Sequence, residues 1–144
     1  RFWITIDQAV EFVSTTFSKM HGGEIFVPKI PSFRLTDLAK AVAPQLPHTI
    51  SGIRPGEKIH ELMTSSDDAR HTLELPSSYV ILPELILDER TPKHRQWQKE
   101  GGTLVKPDFV YASDTNLAWL SIQEIRSFIE NMERKRRSLQ NIDL

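Results

Sequence analysis

The chain has 144 residues, 39% of them hydrophobic, so it corresponds to about one domain and is too short for a complete two-domain nucleotide-dependent enzyme. Its 18 basic and 19 acidic residues give a net charge of -1, so we expect neither nucleic acid nor a membrane surface as a partner. The sequence contains no cysteine, no apolar run near the ~20 residues of a membrane span and no signal-peptide pattern, which together favour a cytoplasmic location.

The first half of the chain predicts alternating helices and strands. Apolar residues recur every three or four positions from Thr5 to Gly22, which is typical of a helix, and Gln8 forms a capping box with Thr5. Short apolar runs bounded by prolines and turn residues then predict a strand over 24–28, a helix over 35–43 and a strand over 48–53. This order favours the α/β class over a bundle or a sandwich.

The second half has fewer clear elements. A turn near 51–56 leads into a predicted third helix, and residues 77–82 and 109–111 are expected to be extended. Periodicity fails between 83 and 108, where we expect an irregular excursion. A final helix over 121–137 is predicted by a capping box of Ser121 and Glu124 and by apolar residues on one face. No linker divides the chain, so residues 1–144 are expected to form one region.

Several signatures of enzymes are absent from the sequence. The six glycines never form the GxGxxG pattern of a dinucleotide site, and neither tyrosine is followed by a lysine four residues later. The five histidines are scattered, and the adjacent carboxylates at 67–68 and 88–89 do not share a helical face. We therefore predict no catalytic residue and no metal site in this chain.

The segment GIRPGEKIHE, residues 52–61, contains the clearest chemical signal. Gly52 and Gly56 free the backbone on either side of Arg54, whose planar guanidinium can bind phosphate oxygens in a bidentate way. Glu57 is placed to accept hydrogen bonds from sugar hydroxyls. An ordinary turn with a surface ion pair of Arg54 explains the same residues, so the motif alone does not decide between the two readings.

Five blocks of sequence, taken together, resemble one family in order and spacing. The resemblance is to the C-terminal part of bacterial nucleotide-sugar dehydratases, most closely the inverting UDP-N-acetylglucosamine 4,6-dehydratases and their capsular-polysaccharide relatives. It covers nearly the whole chain and is weakest from Pro83 to Lys106. The blocks are RFWITIDQAVEF, GGEIFVPKIPS, DLAKAVAP, GIRPGEKIHELM followed by SSDDAR, and YASDTNLAWLS.

The resemblance implies an extended short-chain dehydrogenase/reductase of surface-polysaccharide or flagellar glycan synthesis. In such an enzyme an N-terminal Rossmann domain binds NADP and supplies the catalytic tyrosine, lysine and acid, none of which this sequence contains. The chain opens on Arg1 directly before an apolar run, and we expect it to be a fragment that lacks the Rossmann domain. It is then the substrate-binding part of a homo-oligomeric parent enzyme and is inactive alone.

The resemblance also implies which residues bind a UDP-sugar. Arg1 and Arg54 are at positions expected to bind the diphosphate and Glu57 the ribose, and Lys29 is a further candidate for lining the same cleft. Two alternatives stay open: a portion of a UDP-sugar epimerase, and a free-standing interaction or regulatory module derived from this family. The module hypothesis would be supported by an exposed apolar face around residues 2–4 that is buried on assembly.

Overall fold

The computed structural model describes residues 1–83 and 92–140. Helices and short strands alternate along these ranges, which confirms the predicted mixed α/β class. The elements are α1 (Ile6–Phe17), β1 (Ile25–Pro28), α2 (Leu35–Val42), β2 (Leu62–Thr64), α3 (Ser66–Ala69), β3 (Thr72–Glu74), β4 (Ser78–Ile81), α4 (Pro92–Lys99), β5 (Thr103–Leu104), β6 (Tyr111–Ala112) and α5 (Ile122–Gln140).

Four strands form the larger sheet, in the order β1-β4-β3-β5 with antiparallel neighbours. On the central strand β4, Val80 is opposite Phe26 of β1 on one side and Leu73 of β3 on the other. Val80 and Leu73 are buried in one cluster with Trp97 of α4. The buried indole therefore anchors an otherwise polar helix on one face of the sheet.

A smaller sheet lies beside a set of isolated backbone bridges between Phe2, Ser32 and Trp119, which is called the ladder. Strands β2 and β6 pair antiparallel, and nearby Ser32 forms bridges to Phe2 on one side and Trp119 on the other. The Ser32 amide donates to the carbonyl of Ala118 at 2.8 Å, and the Leu120 amide donates to the Ser32 carbonyl at 2.8 Å. Because Ser32 is completely buried, three segments that are distant in sequence meet at a solvent-free backbone.

Both predicted capping boxes are confirmed. The Thr5 hydroxyl accepts a hydrogen bond from the Gln8 amide at 3.3 Å, and the Ser121 hydroxyl accepts one from the Glu124 amide at 3.3 Å. Helix α1 ends at Phe17, before the expected Gly22, whereas α5 extends beyond the predicted helix over 121–137. Helix α2 and the strands β1 and β4 lie where the sequence predicts them.

Two predictions for the middle of the chain are wrong. Residues 48–53 form no strand, and no helix follows the turn near 51–56. The backbone of Glu61 is instead bonded across to Ser113: its amide donates to the Ser113 hydroxyl at 2.9 Å, and its carbonyl accepts from the Ser113 amide at 2.8 Å. These two hydrogen bonds hold the backbone extended from Glu61 into β2. A helix over the same residues could not form them.

The segment 83–108 is more regular than predicted. Helix α4 and strand β5 lie within it, although residues 84–91 are outside the described residues. Periodicity fails there because α4 has a single apolar anchor, Trp97, rather than an apolar face. Within 1–83 and 92–140, no helix is both long enough and apolar enough to cross a membrane.

Helix α1 carries an exposed apolar face. Ile6, Val10, Val13 and Phe17 recur with helical spacing, and each is 61–80% exposed. The periodicity predicted this apolar face correctly, but the face is turned to solvent.

Residues 2–4, in contrast, are largely packed. The rings of Phe2 and Tyr111 have centroids 4.9 Å apart, and those of Trp3 and Phe33 are 5.2 Å apart in an edge-to-face arrangement. Ile4 remains 39% exposed. The face that would support an interaction module therefore lies on α1 and not around residues 2–4.

Candidate functional site

An open cleft of about 410 Å³ lies at one end of the ladder and is called the Arg1 cleft. Backbone hydrogen bonds of 2.7 and 2.9 Å join Arg1 to Phe33 and bring two of its walls together. Four segments therefore converge on one depression. They are Arg1, residues 33–36 at the start of α2, residues 52–53 and 57–60 of the loop before β2, and the residues Ser113, Asp114 and Trp119; Arg54 is not among the lining residues.

Arg1 connects two walls of this cleft. Its guanidinium forms an ion pair with Glu61, donates to the carbonyl of Lys58 at 2.5 Å and lies 3.8 Å from a carboxylate oxygen of Glu57. The side chain is 27% exposed, so it is held by the loop and still reaches solvent. Arg1 thus positions the loop and presents positive charge to the cleft.

Arg54 and Glu57 are the first and last residues of one tight turn. The Glu57 amide donates to the Arg54 carbonyl at 3.0 Å, and the Arg54 amide donates to the Glu57 carboxylate at 3.2 Å. Pro55 and Gly56 occupy the central positions, and the φ of 79° at Gly56 is the value that a type II turn requires there. The turn fixes Glu57 relative to Arg54 without using the Arg54 guanidinium.

The Arg54 side chain is exposed beside the cleft-lining residues Ile53 and Glu57. Within the described part of the chain its guanidinium forms no ion pair. The surface ion pair that would make this an ordinary turn is therefore not seen among those residues.

The far end of the loop is anchored to the smaller sheet. Next to the backbone bonds between Glu61 and Ser113, Nδ1 of His60 lies 3.5 Å from a carboxylate oxygen of Asp114. Both of these side chains are about half exposed, so they belong to the rim of the cleft. The loop is thus fixed at its end but has no regular structure from Pro44 to His60.

Sequence reasoning missed two residues on the opposite wall. The guanidinium carbon of Arg34 lies over the Trp119 ring, 5.3 Å from its centroid. Trp119 Nε1 donates to the backbone carbonyl of Asn116 at 2.6 Å, which fixes the indole, yet the residue is 40% exposed. A tryptophan within the polar block YASDTNLAWLS was the available signal, since such a residue is often held at a binding surface.

Lys29 lies in a different depression, called the Lys29 cleft, of about 380 Å³. Its ammonium is 2.6 Å from a carboxylate oxygen of Glu74 and 4.9 Å from the centroid of the Tyr79 ring. The Tyr111 hydroxyl accepts from the Ile30 amide at 2.9 Å and donates to the Ile30 carbonyl at 3.0 Å. The structure brings together Arg1, Glu57 and the turn of Arg54, and places Lys29 apart from them.

Burial raises the pKa of both tyrosines in the Lys29 cleft, Tyr79 and Tyr111. Both hydroxyls therefore stay protonated at neutral pH and do not act as bases there. The Arg1 cleft, in contrast, combines the cations Arg1, Arg34 and Lys58 with the carboxylates Glu57 and Asp114. Glu61, which pairs with Arg1, balances a third positive charge, so the cleft presents donors of both arginines beside an aromatic surface and not a strong net charge.

No cluster of three or more potential metal ligands occurs among the described residues. The glycines do not build a dinucleotide turn either, because none of them lies between a strand and the helix that follows it. The connection from β1 to α2 contains no glycine at all. The described residues therefore do not fit a nicotinamide dinucleotide.

The chain is similar to known proteins over nearly its whole length. The chain is 46% identical over 134 residues to an inverting UDP-N-acetylglucosamine 4,6-dehydratase of Campylobacter jejuni, a match that covers 92% of this chain and 40% of that protein. A UDP-glucose 4-epimerase of Rickettsia bellii is 26% identical over 98% of this chain and 41% of its own length. The chain thus spans about two fifths of the curated relatives that it matches.

The structure of Pen from Bacillus thuringiensis is similar at a TM-score of 0.73 and 28% identity, covering 92% of this chain and 39% of that one. Residues 1–83, which include α1, β1, α2 and the loop of Arg54, match the family described as polysaccharide biosynthesis protein. Since that match covers more than half of the chain, the protein belongs to the polysaccharide biosynthesis protein family.

Proposed function

We propose that this chain is the UDP-sugar-binding part of an inverting UDP-N-acetylglucosamine 4,6-dehydratase of surface glycan synthesis. One observation carries the proposal: Arg1 and Glu57 line a single cleft, and Arg54 belongs to the same tight turn as Glu57. The 46% identity to the Campylobacter jejuni dehydratase supports this substrate class.

Arg54 is the first candidate for the diphosphate. Its guanidinium is exposed, and within the described residues it has no ion pair to break before it binds an anion. A bidentate hydrogen bond from arginine to phosphate is among the stronger polar contacts in proteins. The type II turn places Arg54 next to Ile53 and in one turn with Glu57, both of which line the cleft, without using its guanidinium.

Arg1 has a second role in this proposal. Its guanidinium is already bonded to Glu61 and to the Lys58 carbonyl, so it contacts a phosphate only with its remaining donor capacity. Its main contribution is to hold the loop 57–61 in place, which keeps Glu57 oriented toward the cleft and ready to accept from the ribose hydroxyls. The ammonium of Lys29 is paired with Glu74 in the Lys29 cleft. Lys29 therefore contacts the UDP-sugar of this proposal only if its side chain leaves Glu74.

The binding energy of the nucleotide then serves to orient the hexose. Contacts remote from the reacting carbons can be used to hold a substrate in a reactive geometry, which is the contribution we assign to this chain. The hydride chemistry that NADP would supply belongs to a part of the enzyme other than these residues, because they do not fit a dinucleotide. We expect no turnover by this chain alone.

The exposed face of α1 supports the proposed partner. The chain spans about 40% of the Campylobacter jejuni relative, so a polypeptide of that length contains further residues able to cover Ile6, Val10, Val13 and Phe17. We assign this face to the proposed N-terminal Rossmann domain. Burial of four large side chains at helical spacing is typical of a permanent interface between domains.

A second candidate, a portion of a UDP-sugar epimerase, rests on the Rickettsia bellii relative. The lower identity of 26% makes it the weaker of the two. Both candidates predict the same binding of UDP, and they differ in whether water is eliminated from the hexose. A coupled assay of the intact protein with UDP-N-acetylglucosamine separates them by the presence or absence of a 4-keto product.

Calorimetric titration of UDP into the intact protein, meaning the longer protein of which this chain is proposed to be a part, tests the binding proposal. We expect saturable binding that Arg54→Ala weakens about tenfold or more, because a charge-assisted hydrogen bond is worth about 1.5–3 kcal/mol. The variant Arg70→Ala, which removes an exposed arginine outside the cleft, is the matched control and should bind UDP as the unmodified protein does. Absence of UDP binding by the intact protein would overturn the proposal.

A further inference from the structure

The connection between β1 and α2, residues 29–34, runs between the two clefts. Ile30 and Pro31 line the Lys29 cleft, whereas Phe33 lines the Arg1 cleft. A short segment without helix or strand structure thus forms part of the wall of each cleft. The position of this connection therefore affects the shape of both clefts.

The same connection fixes the backbone of Arg1. The Phe33 amide donates to the Arg1 carbonyl at 2.7 Å, and the Trp3 amide donates to the Pro31 carbonyl at 2.8 Å. The Arg1 guanidinium extends from this paired backbone to Glu61. A group that holds the connection in place therefore also holds the cation that the proposed function assigns to the diphosphate.

Asn116 holds the connection with its side chain. Its Nδ2 atom donates to the Ile30 carbonyl at 2.8 Å and to the Ser32 hydroxyl at 3.1 Å, so both hydrogens of the amide group are used. A carboxylate has no hydrogen to donate and could not replace this group. Asn116 does not line the Arg1 cleft, so it acts on a ligand there only through other residues.

Tyr111 supports Ile30 as well, but it does not support Ser32. The Tyr111 hydroxyl donates to the Ile30 carbonyl at 3.0 Å and accepts from the Ile30 amide at 2.9 Å, so Ile30 stays anchored when Asn116 is changed. Among the described residues, Asn116 alone bonds to the hydroxyl of the completely buried Ser32. We therefore expect the loss of this side chain to displace Ser32 and Phe33 without unfolding the connection.

We propose that Asn116 is a positioning residue of the Arg1 cleft, whose two donated hydrogen bonds keep the Arg1 guanidinium where it can bind a diphosphate. The inference rests on the proposed function, in which Arg1 contributes to the binding of UDP. The effect of Asn116 on the ligand passes through Arg1. A residue that only stabilises the fold would instead affect UDP binding equally with and without Arg1.

A double-mutant cycle tests this dependence, with UDP titrated calorimetrically into the intact protein. We expect Asn116→Ala alone to weaken UDP binding about threefold or more, because hydrogen bonds that orient a charged group are lost. In the Arg1→Gln background the same substitution should change the affinity less than about twofold, because no cation is left to be displaced. Asn131→Ala, at an exposed position of α5, is the matched control and should change UDP binding in neither background.

Two further variants keep the test decisive. Asn116→Asp keeps the size of the side chain but removes its donors, so it should weaken UDP binding at least as much as Asn116→Ala. Ser32→Ala removes only one of the two hydrogen bonds and replaces Asn116→Ala in the cycle if that variant does not fold. The same dependence on Arg1 is expected for it.

Losses of equal size in the two backgrounds, or unchanged UDP affinity in the folded variant, would overturn the positioning role and leave the proposed function standing. An Arg1→Gln variant that binds UDP as tightly as the unmodified protein would also overturn it, since Asn116 would then have no cation to position. Failure of the unmodified protein to bind UDP would instead overturn the proposed function.

Discussion

Arg1 and Glu61 form an ion pair that joins the first residue of the chain to the end of the loop that precedes β2. The same guanidinium donates to the Lys58 carbonyl at 2.5 Å, so its position does not depend on Glu61 alone. A cation that is expected to serve a phosphate is therefore partly neutralised by a carboxylate of its own chain. Substituting either Glu61 or Arg1 therefore tests how this ion pair affects the affinity for UDP.

Glu61→Gln should tighten the binding of UDP by a few-fold. The substitution removes a negative charge beside the diphosphate, while the Lys58 carbonyl and Glu57 still hold the guanidinium. Arg1→Gln should weaken binding, and the double variant should resemble Arg1→Gln. Calorimetry at two salt concentrations measures these differences, with Glu133→Gln on α5 as a control of equal charge change. Weaker binding by Glu61→Gln would show that the Lys58 carbonyl and Glu57 do not suffice to hold Arg1 and the loop, contrary to this prediction.

Gly56→Ala should loosen the turn of Arg54 and Glu57. A side chain at a φ of 79° costs about 1–2 kcal/mol, and the position has no neighbour within 4 Å, so the penalty comes from the backbone and not from a clash. We expect UDP affinity to fall by about tenfold while the melting temperature changes little, because the loop lies outside the core. Pro55→Ala keeps an allowed backbone and should weaken binding less. Unchanged affinity in Gly56→Ala would mean that the turn does not organise the binding site.

Low pH should lower the free energy of unfolding, because Asp68 becomes protonated. Hydrogen bonds from the Ser65 hydroxyl and amide to its carboxylate hold the pKa of Asp68 below its usual value of 3.8. The folded state therefore gains stability from this group above the unfolded pKa and loses it as the pH falls through the lower, folded pKa.

At neutral pH, Asp68→Asn should lower the free energy of unfolding by about 1 kcal/mol, because it removes the charge of the carboxylate that accepts from the Ser65 hydroxyl and amide. The difference from the unmodified protein should shrink as the pH drops below 3.8, the usual value of this carboxyl. Urea unfolding between pH 7 and 2 measures both effects, and Asp67→Asn at the exposed neighbouring position is the control. A constant difference across this range would contradict the assignment.

High pH should lower the free energy of unfolding, because the Tyr111 hydroxyl ionises. Burial raises the pKa of its hydroxyl above the usual value of 10.0, so the stabilisation is complete below pH 10 and is lost as the pH rises through the folded pKa. Tyr111→Phe removes both bonds to Ile30 and should cost about 1–3 kcal/mol at pH 7. Tyr79→Phe, whose ring lies 5.0 Å away, should cost less at pH 7. Denaturant unfolding at pH 7 and pH 11 distinguishes them.

Val13→Lys should leave the chain as stable as before, to within about 0.5 kcal/mol, because this side chain on α1 is 63% exposed. The same substitution should reduce self-association of the separately expressed chain, measured by analytical ultracentrifugation. In the intact protein it should lower the melting temperature, since there the face is proposed to be covered. Equal melting temperatures in the intact protein would argue against a domain on this face.

Local signals in the sequence predicted local structure. The capping boxes at Thr5 and Ser121 need only a hydroxyl and an acceptor three residues apart, so both could be located without any knowledge of the fold. The loop before β2 could not be predicted in this way. Its conformation depends on Ser113, which lies 52 positions from Glu61 and leaves no periodic pattern near residue 57.

The candidate site was predictable only in part, for the same reason. Arg54 and Glu57 belong to one turn and could be found as a motif. Arg34 and Trp119 become neighbours only through Ser32, a contact that spacing along the chain does not reveal. The position of Lys29 likewise follows from its pairing with Glu74 across the sheet, whereas sequence resemblance had grouped it with the arginines.

The meeting of three segments at Ser32 has a consequence for how the molecule folds. The Arg1–Phe33 contact spans 32 positions, and the contact of Asn116 with Ile30 spans 86, so two long loops must close before this ladder exists. Contacts of such separation form slowly compared with helices such as α5. Competence to bind ligand should therefore appear in the last kinetic phase of refolding, after most of the helical circular dichroism has returned.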